Sequence, residues 1–132
     1  MSVNKNDSIN MLKEMKTSFA CFSITLLHAG TFMVGTIDHQ YMCDIKSGEG
    51  RVITNDKIRE PRGMCASSNG CVFVCSDSDS IVQLSLRGDV LMAHDVGMYR
   101  PCAISVSTDG SRLVVSNGAV GQSKMKLFNI VY

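Results

Sequence analysis

The residues of this 132-residue chain with the most chemistry in them are six cysteines, three histidines and a Ser-Asp-Ser-Asp-Ser run. A zinc site needs Cys and His in closely set pairs. Cys71 and Cys75 instead bracket an apolar Cys-Val-Phe-Val-Cys run, too loose on an extended strand for a zinc knuckle, and His28, His39 and His94 form no ligand pair. With Cys21, Cys43, Cys65 and Cys102 the cysteine count is even, but an even count implies disulfides only in a secretory context. The first twenty residues lack the continuous apolar core of a signal peptide. All six are therefore expected to be reduced thiols in a cytoplasmic protein, acting as small buried apolar groups.

Asp77 and Asp79 supply the carboxylates of the Ser-Asp-Ser-Asp-Ser run. Calcium would need more convergent oxygens and usually a Gly at the turn, so a solvated polar hairpin is expected. A metal-dependent lactonase would need acidic and amide ligands from several parts of the chain, and Glu14, Glu49 and Glu60 are too few for it. No Gly-x-Ser-x-Gly elbow and no phosphate-cradling glycine loop occurs. No catalytic, cofactor-binding or metal-ligating set emerges, and the chain is not expected to be an enzyme. Thirteen basic and twelve acidic residues give a net charge of +1, which argues against a strongly electrostatic nucleic-acid binder. No apolar stretch is long enough to span a membrane; the best, 19–27, is interrupted by Ser and Thr.

What positions these residues is a repeat. Gly30, Gly70 and Gly110 are spaced 40 and 40 apart; Pro61 and Pro101, Gly48 and Gly88, and Ser76 and Ser116 repeat the interval. At that shift Cys21-Phe-Ser-Ile-Thr falls on Pro61-Arg-Gly-Met-Cys and on Pro101-Cys-Ala-Ile-Ser. The third position is always small (Ser23, Gly63, Ala103) and the fourth apolar (Ile24, Met64, Ile104). A turn with Gly follows, then an apolar run, a third strand and a less regular fourth. Asn69-Gly70 and Asp109-Gly110 suit the positive φ of tight hairpins. The segments are too short for helices between strands, so the strands pair antiparallel in sequence order. Met64, Met92 and Met125 lie at repeat positions and read as core filling.

A lone four-stranded meander cannot bury both its faces, whereas radial stacking of copies can. The expected fold is all-β: a β-propeller fragment of about three four-stranded antiparallel blades of ~40 residues each. Residues 20–60 form blade 1, 61–100 blade 2 and 101–132 an incomplete blade 3. Residues 1–19 form an outer strand or a flexible segment, with Leu12 aligned to Val52 and Met92.

The stretch Pro61-Arg-Gly-Met-Cys-Ala-Ser-Ser-Asn-Gly-Cys-Val-Phe-Val-Cys-Ser-Asp, followed by Ile81-Val-Gln-Leu and Gly88, resembles an NHL repeat. Asp109-Gly110 with Leu113-Val-Val-Ser-Asn117 looks similar. The resemblance covers 20–132 and is nearest to the C-terminal propellers of tripartite-motif (TRIM-NHL) proteins. It implies a six-bladed ring that recruits a protein partner or RNA. Ubiquitin-ligase activity in that family resides in RING and B-box modules, and this chain has none. The first copy departs from the pattern, with Cys21 in place of Pro.

In such a fold, loops joining strand four to the next strand one share an end with loops joining strands two and three. Arg59, Arg62 and Arg100 fall in the first kind; Asp77, Asp79 and Lys124 in the second. The Lys124 loop is four residues longer than its counterpart, counting from Ser116 to Met125 against Ser76 to Ile81. These six residues are the candidate partner-binding face, for a protein partner first and RNA phosphates second. Three blades also leave open apolar faces. They are closed either by the remainder of a longer chain or by a second copy, in a homodimer with swapped strands.

Overall fold

The computed structural model describes residues 8–11, 14, 23–28, 31–36, 40–44, 50–53, 58, 60–76, 79–118, 121 and 123–131. They form eleven strands in three antiparallel sheets. The first sheet is a meander of β1 (Ser23–His28), β2 (Thr31–Gly35), β3 (Gln40–Asp44) and β4 (Gly50–Ile53). The second runs β5 (Met64–Ala66), β6 (Cys71–Ser76), β7 (Ser80–Ser85) and β8 (Val90–Asp95). The third has three strands, β9 (Pro101–Val106), β10 (Arg112–Asn117) and β11 (Met125–Asn129). Strand β5 lies beside β1 and β9, so the first strands of the blades crowd together. This is the expected arrangement of stacked propeller blades.

Hairpin chemistry explains the meanders. Gly70 and Gly110 hold φ +83° and +75° and donate to the carbonyls of Ser67 and Ser107, closing equivalent turns. The turn with Gly30 lies outside the described residues, as does Gly48; Gly88, at φ +93°, turns β7 into β8. The sequence register needs one correction. Met64 pairs with Val74, but Ile104 pairs with Val115, so the Asp109–Gly110 hairpin carries one extra residue. Ser76 therefore corresponds to Asn117, not to Ser116.

The core lies between blades. Met64, Val72, Val74, Val82 and Leu84 of blade 2 pack against Met33 of blade 1, with Ile58 from the connecting loop. Cys71, Phe73, Cys75 and Ile81 face the other way, onto Leu113 and Val115 of blade 3. Covered on both sides, β6 is buried at all six positions, which is why its sequence reads as an unbroken apolar run. The outer strand β8 is largely exposed. At the N-terminal end, residues 8–11 and 14 belong to no strand or helix, and Leu12 lies outside the described residues.

Candidate functional site

Four of the six sequence-predicted face residues are described: Arg62, Asp79, Arg100 and Lys124. Arg59 and Asp77 lie outside the described residues. The four sit on four different connections, β4–β5, β6–β7, β8–β9 and β10–β11. Meander topology sends all four connections to one end of the sheets. Hydrogen bonds stitch them together. The amide of Val96 donates to the Asp79 carbonyl at 3.1 Å, and the amide of Arg62 donates to the Cys75 carbonyl at the end of β6. The Asn117 side-chain amide donates to the Tyr99 carbonyl at 2.9 Å, while its Oδ1 accepts from the Lys124 amide at 2.8 Å.

The four have unequal roles. Arg62 bridges to Glu60 at 3.3 Å on the surface, a pairing that partly satisfies its charge. Asp79 is a turn residue, with φ +60° and its carbonyl engaged. Arg100 is half-buried, with φ +54°. Glu60, 40 residues earlier, also holds a left-handed φ of +46° directly before a proline. This backbone is sparsely populated for non-glycine residues and recurs at the same place in two blades. Lys124 is exposed, on the elongated loop. In the observed register Cys75 pairs with Ile81, six residues on, and Ser116 with Met125, nine residues on. The loop is thus three residues longer than its counterpart, not four, because of the extra residue in the preceding hairpin.

Two contributors escaped the sequence reading. Tyr99 is 56% exposed, a large aromatic on the same end as Arg100 and Lys124. Its neighbour Met98 is 2% exposed and anchors the β8–β9 loop in the core. Lys126 projects from β11 and its Nζ donates to the carbonyls of Val96 and Gly97 at 3.0 and 3.1 Å, clamping that loop from below. The Asp95 carboxylate accepts from the Gly97 amide at 2.8 Å. Lys126 occupies the column position that Val82 fills in blade 2, since Val74 pairs with Val82 and Val115 with Lys126. A charge in an apolar column was the signal available for it.

Cys65, Cys71, Cys75 and Cys102 are free thiols, and the side chains of Cys21 and Cys43 lie outside the described residues. Burial, with a smaller contribution from Cys102, pushes the Cys75 thiol up to about 12, so it stays protonated and unreactive. Among the described residues no group of three or more His, Cys, Asp or Glu is placed to hold a metal ion. No described helix is long and apolar enough to cross a membrane.

No family model matches the chain, and no curated protein does. Solved structures match in fold. A chain of the nidogen/laminin complex superposes with a TM-score of 0.70 at 15% identity, over 83% of this chain and 44% of that one. Hydrazine synthase from Kuenenia stuttgartiensis superposes with a TM-score of 0.72 at 17% identity, over 92% of this chain and 36% of that one. Both are propeller-type structures, so the all-β blades are those of a β-propeller. The chain spans less than half the length of either match.

Proposed function

We propose that the chain is a non-enzymatic interaction scaffold that binds a protein partner at the loop end carrying Tyr99, Arg100, Lys124 and Arg62. The observation that carries this is the exposed Tyr99 ring on a loop fastened from three sides. Asn117 holds the Tyr99 carbonyl, Lys126 the carbonyls of Val96 and Gly97, and Asp95 the Gly97 amide. An aromatic and basic groups on a pre-ordered loop bind at low entropic cost, and Tyr and Arg are the usual interface anchors. The Pro61-Arg62-Gly63 motif supports the finer reading of an NHL-type blade. The free thiols support a cytoplasmic setting. A short acidic segment bearing one apolar side chain suits this end best.

Protein is favoured over RNA because Glu60 already pairs with Arg62 and Asp79 shares the face, which dilutes the positive field. The test is selection of peptides from a random displayed library against the purified chain, repeated on Tyr99→Ala. The expected result is a set of acidic peptides whose affinity falls at least about tenfold in the variant, as for a hot-spot aromatic. Equal binding to both proteins sinks the assignment of the face. Tight single-stranded RNA binding with a steep salt slope would replace the partner class.

A further inference from the structure

Strand β8 is the outermost strand of blade 2, and among the described residues it is hydrogen-bonded on one side only, to β7. Its other side faces away from the stack, because the first strands β1, β5 and β9 are the ones that crowd together. The Val96 amide bonds to the Asp79 carbonyl, and the Ser85 amide to the Asp89 carbonyl. Antiparallel pairs alternate between bonded and non-bonded positions, so the main-chain groups of Val90, Ala93 and Asp95 point away from β7. Leu91 is an extra residue at a bulge, since Val90 pairs with Leu84 and Met92 with Gln83.

The side chains along this edge are apolar and open. Val90, Leu91 and Met92 are 37%, 54% and 56% exposed. Sheet edges are commonly guarded against further pairing by Lys, Pro or a bulge. The run Val90-Leu-Met-Ala93 holds no Lys or Pro, which leaves the bulge as its guard. An exposed aspartate stands at each end, Asp89 and Asp95. Asp79, on the loop that bonds to Val96, adds a third acidic residue beside the Asp95 end. Opposite the span from Asp89 to Asp95, β7 takes five steps, from Ser85 to Ser80. A straight strand crosses that distance in about 17 Å.

We infer that β8 receives an extended segment of a second protein as a fifth strand of blade 2, a segment apolar in its middle with Lys or Arg at both ends, five residues apart. Main-chain bonds to Val90, Ala93 and Asp95 hold such a strand, and the terminal charges select it. The same charges decide against a second copy of this chain. Symmetric antiparallel pairing of two β8 strands along their whole length sets Asp89 of each against Asp95 of the other, and like charges directly opposite destabilise a sheet. A basic segment turns both repulsions into attractions. This surface is separate from the loop end carrying Tyr99, which favours an acidic segment, and the inference does not rest on that reading. Together the two surfaces let one chain join two partners of opposite charge.

Fluorescence anisotropy of a labelled peptide, Lys-Val-Thr-Ile-Val-Lys, titrated with the purified chain tests it. Saturable binding is expected, weakened at least about tenfold when Asp89→Asn and Asp95→Asn are combined. Asn at position 95 keeps an oxygen for the Gly97 amide, so the β8–β9 loop stays fastened. The same peptide with Glu at both ends should not bind. Ala93→Pro removes a donor that points away from β7 and leaves the existing ladder intact, so it should abolish binding of the Lys-ended peptide. Loop-end peptide binding should persist in that variant, which separates the two surfaces. No saturable binding of the Lys-ended peptide overturns the proposal. So does equal binding by Ala93→Pro, or equal binding of the Glu-ended peptide. A wild-type dimer that Leu91→Lys dissociates would make a second copy the occupant and overturn it as well. Far-UV circular dichroism checks the fold of each variant. If Ala93→Pro unfolds, Leu91→Lys takes its place: it should repel the Lys-ended peptide, and undiminished binding overturns the proposal.

Discussion

A side chain built on Gly63 would collide with the carbonyl oxygen of Cys102 in the next blade. The glycine does not have a positive φ, so its role is spacing and not turn geometry. Gly63→Val is expected to lower stability by about 1–3 kcal/mol, the usual cost of overpacking. Urea denaturation should show a reduced midpoint with an unchanged slope. An unchanged midpoint would mean that blades 2 and 3 are not apposed at this point.

The repeat was legible because glycine turns and small inner positions are dictated by local sterics, which recur wherever the blade recurs. The extra residue, Ser111 just after the Gly110 turn, was not, because Ser76 and Ser116 offered a match in type at the wrong register. Tyr99 and Lys126 were missed for different reasons. An exposed loop aromatic has no periodic neighbour to mark it. Lys126 looks like surface charge until the pairing with Val115 places it in an inward column. Arg62, placed on the candidate face by its position in the repeat, has the Glu60 carboxylate 3.3 Å away, a local pairing that the repeat pattern does not mark.

The thiols should divide by burial. Cys71 and Cys75 are 2% and 0% exposed, while Cys65 and Cys102 are half-buried. In native protein, alkylation without reductant should reach Cys65 and Cys102 first and leave Cys71 and Cys75 unlabelled. In unfolded protein all six cysteines should react. Cys75 also couples stability to pH. Its thiol rises from 9.0 to about 12 on folding, so its contribution is full below pH ~9 and is lost as pH rises toward 12. Peptide mapping of the labelled sites checks the order; early labelling of Cys75 would contradict its placement.

Asp109 behaves in the opposite sense. Its carboxylate accepts from Ser107 Oγ and Ser111 Oγ at 2.7 Å each, and from the Ser111 amide at 3.0 Å. These bonds, led by that from the Ser111 side chain, lower it from 3.8 to about 2. A depressed carboxyl stabilises the fold above its unfolded value and loses that contribution as pH falls toward 2. Asp109→Ala should therefore melt earlier than the parent at pH 6, and the two curves should converge between pH 4 and 2. A gap that stays constant across that window would show that the loss is not electrostatic.

Asn117 joins the long β10–β11 loop to the loop that presents Tyr99. Its side chain supplies two bonds, one to each loop, and each such bond contributes about 0.5–1.5 kcal/mol. The main-chain bond from Asn117 to the Lys124 carbonyl, at 3.2 Å, does not depend on the side chain. Asn117→Ala should thus leave β10 and β11 paired while loosening what lies beyond them. Hydrogen exchange should accelerate in residues 97–100 and 118–124 and remain slow in β6 and β7. Peptide binding at the loop end should weaken with it, because the Tyr99 ring must then be ordered at the moment of binding. Faster exchange with undiminished binding would separate loop order from recognition and leave Tyr99 without its role as a pre-positioned anchor.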